Sequence, residues 1–128
     1  MNVLLDTHLL LWTAFAPERL APAAVEVIDD AAHALFFSPV SLWEVVIKNA
    51  LGRADFSVDP HMLRRGLHEN EYRELSIESR HVLAVAHLPP LHRDPFDRLL
   101  VAQASSEGFI LLTADATLAG YAGPVRMV

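Results

Sequence analysis

Apolar residues follow two different rhythms along the chain. Three short blocks are apolar at almost every position: Asn2-Val3-Leu4-Leu5, Ala34-Leu35-Phe36-Phe37 and Phe109-Ile110-Leu111-Leu112-Thr113. Runs without polar alternation predict strands buried on both faces. Tyr72 to Leu75 and Pro124 to Val128 predict two shorter strands. Between the blocks lie stretches that read as helices. These are Thr7 to Phe15, Pro22 to Ala32, Ser41 to Leu51, Pro60 to about Asn70, Ile77 to Ala86 and Pro95 to Glu107. Punctuation supports several boundaries. Asp59-Pro60 and Asp94-Pro95 each pair an N-cap with proline at the first helical position. Gly52 and Gly108 follow helix ends, where glycine serves as a C-cap.

Strands that alternate with helices predict an α/β fold, with a parallel sheet covered on both faces. Such sheets bind ligands outside the carboxyl ends of their strands. Asp6 closes the first strand and Asp115 follows the Phe109–Thr113 strand, so the topology predicts both acids on one sheet edge.

Composition narrows the class. The 128 residues are predicted to form one domain, 1–128, and 52% of them are hydrophobic, enough for a substantial core. No cysteine is present, which excludes disulfides and thiolate metal sites and suits a cytoplasmic chain. No apolar run is long enough to span a bilayer, so no membrane role is expected. The start of the chain lacks the basic segment of a secretory signal. A formal net charge of −6 argues against a general nucleic-acid binder. A nuclease that holds phosphate through metal ions can still be acidic.

The candidate chemistry lies in the acids, each of which also has a plainer explanation. Asp94 and Asp97 open the Pro95–Glu107 helix, where one fits the cap and the other suits the helix dipole. Ser41 and Glu44 fit a capping box, a serine followed three residues later by glutamate. Asp6 fits the cap of the next helix, and Asp115 fits a turn. Taken together they carry more weight. Four acids, Asp6, Glu44, Asp97 and Asp115, sit at strand ends or in first helical turns that can converge. Uncompensated, they would repel and raise one another's pKa. Mg²⁺ or Mn²⁺ resolves that conflict, because hard cations prefer carboxylate oxygen. Thr7, Ser41 and Thr113 adjoin the acids and can orient carboxylates or metal-bound water, or simply cap helices and turns. The seven histidines show no zinc-protease spacing and read mostly as surface or packing residues. His8 and His92 stand apart because they neighbour the acids. Trp12, Trp43 and Phe96 read as packing aromatics. Arg93 and Arg98 flank the acidic pair and can meet either a phosphate backbone or neighbouring acids.

These segments have a familiar arrangement. Asp6-Thr7-His8 with Leu11-Trp12, then Ser38-Pro39-Val40-Ser41-Leu42-Trp43-Glu44, then His92-Arg93-Asp94-Pro95-Phe96-Asp97-Arg98, then Leu112-Thr113-Ala114-Asp115 with Tyr121, resemble the PIN domain. More narrowly, they resemble the VapC toxins of bacterial type II toxin–antitoxin pairs. The resemblance runs through essentially the whole chain. It implies a three-layer α/β/α sandwich around a mainly parallel sheet, and a Mg²⁺- or Mn²⁺-dependent endoribonuclease. It carries the family's acids onto Asp6, Glu44, Asp97 and Asp115, with Asp6, Asp97 and Glu44 as metal ligands. Asp94 becomes an accessory or capping residue. It further implies an RNA substrate, such as transfer or ribosomal RNA, and a small VapB-like antitoxin. Homodimers and toxin–antitoxin hetero-oligomers are also implied.

Rival readings differ in specific residues. A haloacid-dehalogenase-like phosphatase needs a second Asp two residues after Asp6, where this chain has His8. A P-loop NTPase needs a glycine-rich loop after the first strand, and none occurs. A receiver domain needs a lysine after its last strand, which has no counterpart here. A silent PIN-fold binding module would not need all four acids. A PIN-fold ribonuclease of RNA processing would carry the same residues as a toxin.

Overall fold

A computed structural model of the chain describes residues 1–52, 56–121 and 123–128. Five strands form one sheet: β1 (Asn2–Leu5), β2 (Ala34–Phe37), β3 (Arg73–Glu74), β4 (Ile110–Thr113) and β5 (Val125–Met127). Six α-helices connect them: α1 (Thr7–Phe15), α2 (Pro22–Asp29), α3 (Pro39–Ala50), α4 (Pro60–Glu69), α5 (Ser79–Ala84) and α6 (Pro95–Glu107). The strand order is β3-β2-β1-β4-β5, and all four pairings are parallel. This is the expected α/β sandwich. No helix among the described residues is long and apolar enough to cross a membrane.

The side-chain period of a strand explains the two cores. Val3 and Leu5 of β1 join Leu9, Leu10, Val27, Phe37, Val45, Leu63 and Leu67 on one face, under α1, α2 and α4. Leu4 points to the opposite face and packs with Val40, Leu100, Val101, Ala104, Leu111 and Leu118, under α6. The central strands β1 and β4 are thus buried on both sides, which is why they are apolar at almost every position.

Strand order positions the site. From β1 the chain moves outward through β2 to β3, then returns to β4 on the other side of β1 and ends at β5. The β1–β4 boundary is therefore the point where the winding reverses. In sheets of this kind, loops leaving neighbouring strands at such a point diverge and leave room for a ligand.

Several boundaries differ from expectation. Helix α3 starts at Pro39, capped by Ser38, whose Oγ accepts the Val40 N–H at 3.1 Å. Proline at the first helical position moves the start ahead of Ser41. Helix α2 ends at Asp29 instead of Ala32, because Asp30 turns the chain by accepting the Ala32 N–H. Strand β3 is shorter than Tyr72–Leu75, and α5 spans Ser79–Ala84 before a 3₁₀ turn over Val85–His87. Helix α6 matches its expected bounds. Gly108 closes it in the left-handed region, φ 69°, where a side chain would be strained.

Candidate active site

The acid cluster is assembled from the ends of β1 and β4 and the starts of α3 and α6. Asp6 follows β1, is 2% exposed, and caps α1 by accepting the Leu9 N–H at 2.9 Å. Its other oxygen accepts a 2.5 Å hydrogen bond from the Thr113 hydroxyl at the end of β4. That bond joins residues 107 apart in sequence. The Thr113 oxygen also accepts the Asp115 N–H at 3.0 Å, so one hydroxyl fastens two acids. Thr7 and Ser41 are both buried, and Thr7 donates to the Ser41 hydroxyl at 2.9 Å, tying α1 to α3.

Glu44 is 3% exposed. Because Ser38 caps α3, the Ser41–Glu44 capping box does not form, and Glu44 is left to interact elsewhere. One oxygen meets Lys48 Nζ at 2.8 Å, one helical turn on. The other, Oε1, is buried without a hydrogen-bond partner among the described residues. Asp94 caps α6 as expected, accepting the Phe96 and Asp97 N–H groups. Asp97 lies inward of it, with its side chain 16% exposed.

Electrostatics reports how close these groups are. Asp97 is pushed up to about 7 from 3.8, first by burial, then by the negative charges of Asp94 and Glu44, with a contribution from Asp6; His92 opposes the rise. Burial also raises Asp6, against its hydrogen bonds to Thr113 and Leu9 and the nearby His8, and the Asp115 charge adds to the rise. Asp115 behaves differently. Partial burial pushes it up, but the Thr117 N–H and His92 outweigh that and hold it below the usual carboxylate range. Asp97 therefore senses the charges of Glu44 and Asp6, and Asp6 senses that of Asp115. Asp94 joins them through its effect on Asp97.

Two residues at the site carry weight that sequence reading missed or left open. Lys48 drew no notice, although lysine four positions after a helical glutamate is a readable pairing signal. His92 lies between two acids: Nε2 is 3.2 Å from Asp115 Oδ2 and 3.3 Å from Asp97 Oδ2. Arg98 does not face phosphate. Its guanidinium donates to the Val85 and Leu88 carbonyls and closes the 3₁₀ turn after α5. Arg93 is exposed. Trp43 is 55% exposed and meets Phe96 edge to face, with ring centroids 4.9 Å apart.

The donor set fits a hard divalent cation. It consists of carboxylates, two of them with raised pKa, and one buried oxygen without a partner.

The PIN domain family model matches residues 3–124. The chain belongs to the PIN domain family. It is 30% identical over 123 residues to Ribonuclease VapC22 of Mycobacterium tuberculosis (strain ATCC 25618 / H37Rv), covering 96% of this chain and 94% of that protein. Within the family this PIN domain is accordingly of the VapC type. Solved structures share the fold. VapBC2 from Rickettsia felis, bound to a DNA fragment from its promoter, aligns with a TM-score of 0.72 at 12% identity, covering 99% of this chain and 98% of that one. DNA-bound VapBC from Salmonella typhimurium gives 0.66 at 13% identity, covering 100% and 97%. VapBC-1 from nontypeable Haemophilus influenzae gives 0.57 at 19% identity, covering 93% and 90%.

Proposed function

We propose that this PIN domain is a Mg²⁺- or Mn²⁺-dependent endoribonuclease and the toxin of a type II toxin–antitoxin pair. The observation that carries the reading is the acid cluster at the carboxyl ends of β1 and β4, with Asp6 and Glu44 buried. Burial and mutual repulsion raise Asp6 and Asp97, and Glu44 keeps an unpartnered oxygen. Membership of the VapC type and the ribonuclease name of the Mycobacterium relative support RNA as the substrate. The VapBC complexes among the structural neighbours support a VapB-like antitoxin as partner, and homodimers and toxin–antitoxin hetero-oligomers as the assemblies. Transfer or ribosomal RNA in the cytoplasm is the proposed target, and stalled translation the consequence.

Asp6, Asp97 and Glu44 are the residues that would hold the ion. When bound, the ion would polarise a phosphoryl oxygen and lower the pKa of a water. The protein's own groups supply the rest. Thr113 orients Asp6 and, through the Asp115 N–H, sets the position of Asp115. Asp115 is held ionised and is suited to orient the attacking water. The Thr7–Ser41 bond fixes α3 against α1, and hence Glu44 against Asp6. Asp94 caps α6, which sets where Asp97 emerges. Because water is the nucleophile, the 2′-hydroxyl is not needed chemically, and preference for RNA must come from substrate shape.

The test is cleavage of a structured RNA by the purified protein with Mg²⁺, with Mn²⁺ and with EDTA, beside Asp6→Asn. Cleavage is expected to require the ion and to be lost in the variant. Undiminished cleavage in EDTA, or by D6N, rules the reading out.

A further inference from the structure

His92, Asp97 and Asp115 each offer an atom, all within 4.8 Å of one another, in a grouping that could hold a metal ion. The hydrogen bonds of the imidazole argue against a ring ligand. Nδ1 accepts the Asp94 backbone N–H at 3.0 Å. A ring nitrogen that accepts carries no proton, so the neutral ring holds its proton on Nε2. Nε2 is the atom that faces the acids, hydrogen-bonded to Asp115 Oδ2 at 3.2 Å. A metal bound to Nε2 would force the proton onto Nδ1, directly against the Asp94 N–H. Two donors would then confront each other in a half-buried site.

The backbone that carries the ring is fixed as well. The Tyr121 hydroxyl accepts the His92 backbone N–H at 3.1 Å. His92 thus joins the segment before α6, the cap of α6 and the exit of β4. The other Asp115 oxygen accepts the Thr117 N–H at 2.8 Å, so His92 completes a two-point grip on that carboxylate. A like arrangement recurs far from the acid cluster. His81 Nδ1 accepts the Glu78 N–H at 3.0 Å, and Nε2 lies 2.9 Å from Glu107. There too the ring reads as a capping acceptor and a carboxylate donor.

We propose that His92 is a positioning residue, a neutral Nε2–H donor that fixes Asp115 beside Asp97 and does not ligate the ion. This rests on the proposed metal-dependent reading of the site and assigns a role that reading leaves open.

Two substitutions separate the two ends of the ring. Asparagine reaches only as far as Nδ1, so His92→Asn keeps an acceptor for the Asp94 N–H and removes the donor. Glutamine reaches to Nε2, so His92→Gln restores a donor to Asp115. Mn²⁺ binding is measured by calorimetry, and cleavage by single turnover, with melting temperatures as a check on folding. Because Nε2 also lies 3.3 Å from the proposed ligand Asp97, H92N is expected to lose about tenfold or more in Mn²⁺ affinity and cleavage rate, the usual effect of removing a group that orients a ligand. H92Q is expected to recover most of that loss. Pulsed EPR of the Mn²⁺-loaded wild type is expected to show no imidazole nitrogen coupling. Such coupling overturns the inference. So do equal losses in both variants, which would mean the ring itself is required, or wild-type behaviour in H92N. D6N separates the two levels: if it too leaves Mn²⁺ affinity unchanged, the metal reading fails, and the His92 inference with it. If only D6N loses affinity, the His92 inference alone falls.

Discussion

Replacing Asp97 by asparagine should stabilise the metal-free protein while destroying its proposed activity. In the folded state burial and the charges of Asp94, Glu44 and Asp6 hold Asp97 up to about 7, against 3.8 for the free side chain. The folded protein therefore grips this proton more tightly than the unfolded chain does. The stabilisation is fully present below about pH 4 and is lost as pH rises through about 7. One pKa unit is worth about 1.4 kcal/mol, which sets a ceiling of about 4 kcal/mol at pH 7.5. Neighbouring acids share the strain and can take up a proton instead, so about 1–2 kcal/mol is the expected gain for Asp97→Asn. For a chain of this size that is roughly 3–8 °C in melting temperature. The assay is thermal unfolding in EDTA, followed by circular dichroism at pH 7.5 and pH 5. At the lower pH folded Asp97 is already protonated, and the advantage of D97N should fall to less than half. Excess Mg²⁺ should raise the wild type above the variant. A variant no more stable than wild type at pH 7.5, or an advantage that does not change with pH, would refute the argument that Asp97 is an ionised acid held against its own electrostatics.

The other predictions use neighbouring contacts. Lys48→Met leaves the nearly buried Glu44 carboxylate without its 2.8 Å counter-charge. Melting in EDTA should show a loss of about 2–4 kcal/mol, and added Mg²⁺ should rescue K48M more than wild type. Thr113→Val removes the hydroxyl that bonds Asp6 and the Asp115 N–H. It should cost about 1–3 kcal/mol and slow RNA cleavage, measured in single turnover; unchanged cleavage would show that Thr113 does not orient Asp6. Asp94→Ala removes the cap of α6 and should cost about 1 kcal/mol in chemical denaturation, whereas Asp94→Asn, which can still cap, should not. A large and equal loss of Mn²⁺ affinity in both variants would make Asp94 a ligand instead of a cap.

How far the sequence reads can be judged residue by residue. Continuous apolar blocks located β1, β2 and β4 because a strand buried on both faces has no polar positions to spare. Asp59-Pro60 and Asp94-Pro95 located the starts of α4 and α6, because capping is decided within a few residues. The carboxyl-end rule then brought Asp6 and Asp115 to one edge without any coordinates. Local signals failed where two competed. Ser41-Glu44 read as the helix start, but Ser38 as cap and Pro39 at the first helical position begin the helix earlier. What tertiary structure alone decided is the company each acid keeps. Strand order makes β1 and β4 neighbours and so joins Thr113 to Asp6 across 107 residues. The turn after α5 captures Arg98, and the segment before α6 sets His92 between Asp97 and Asp115. A carboxylate's charge state depends on burial and on partners within a few ångströms, and those are products of packing that no run of neighbouring residues encodes.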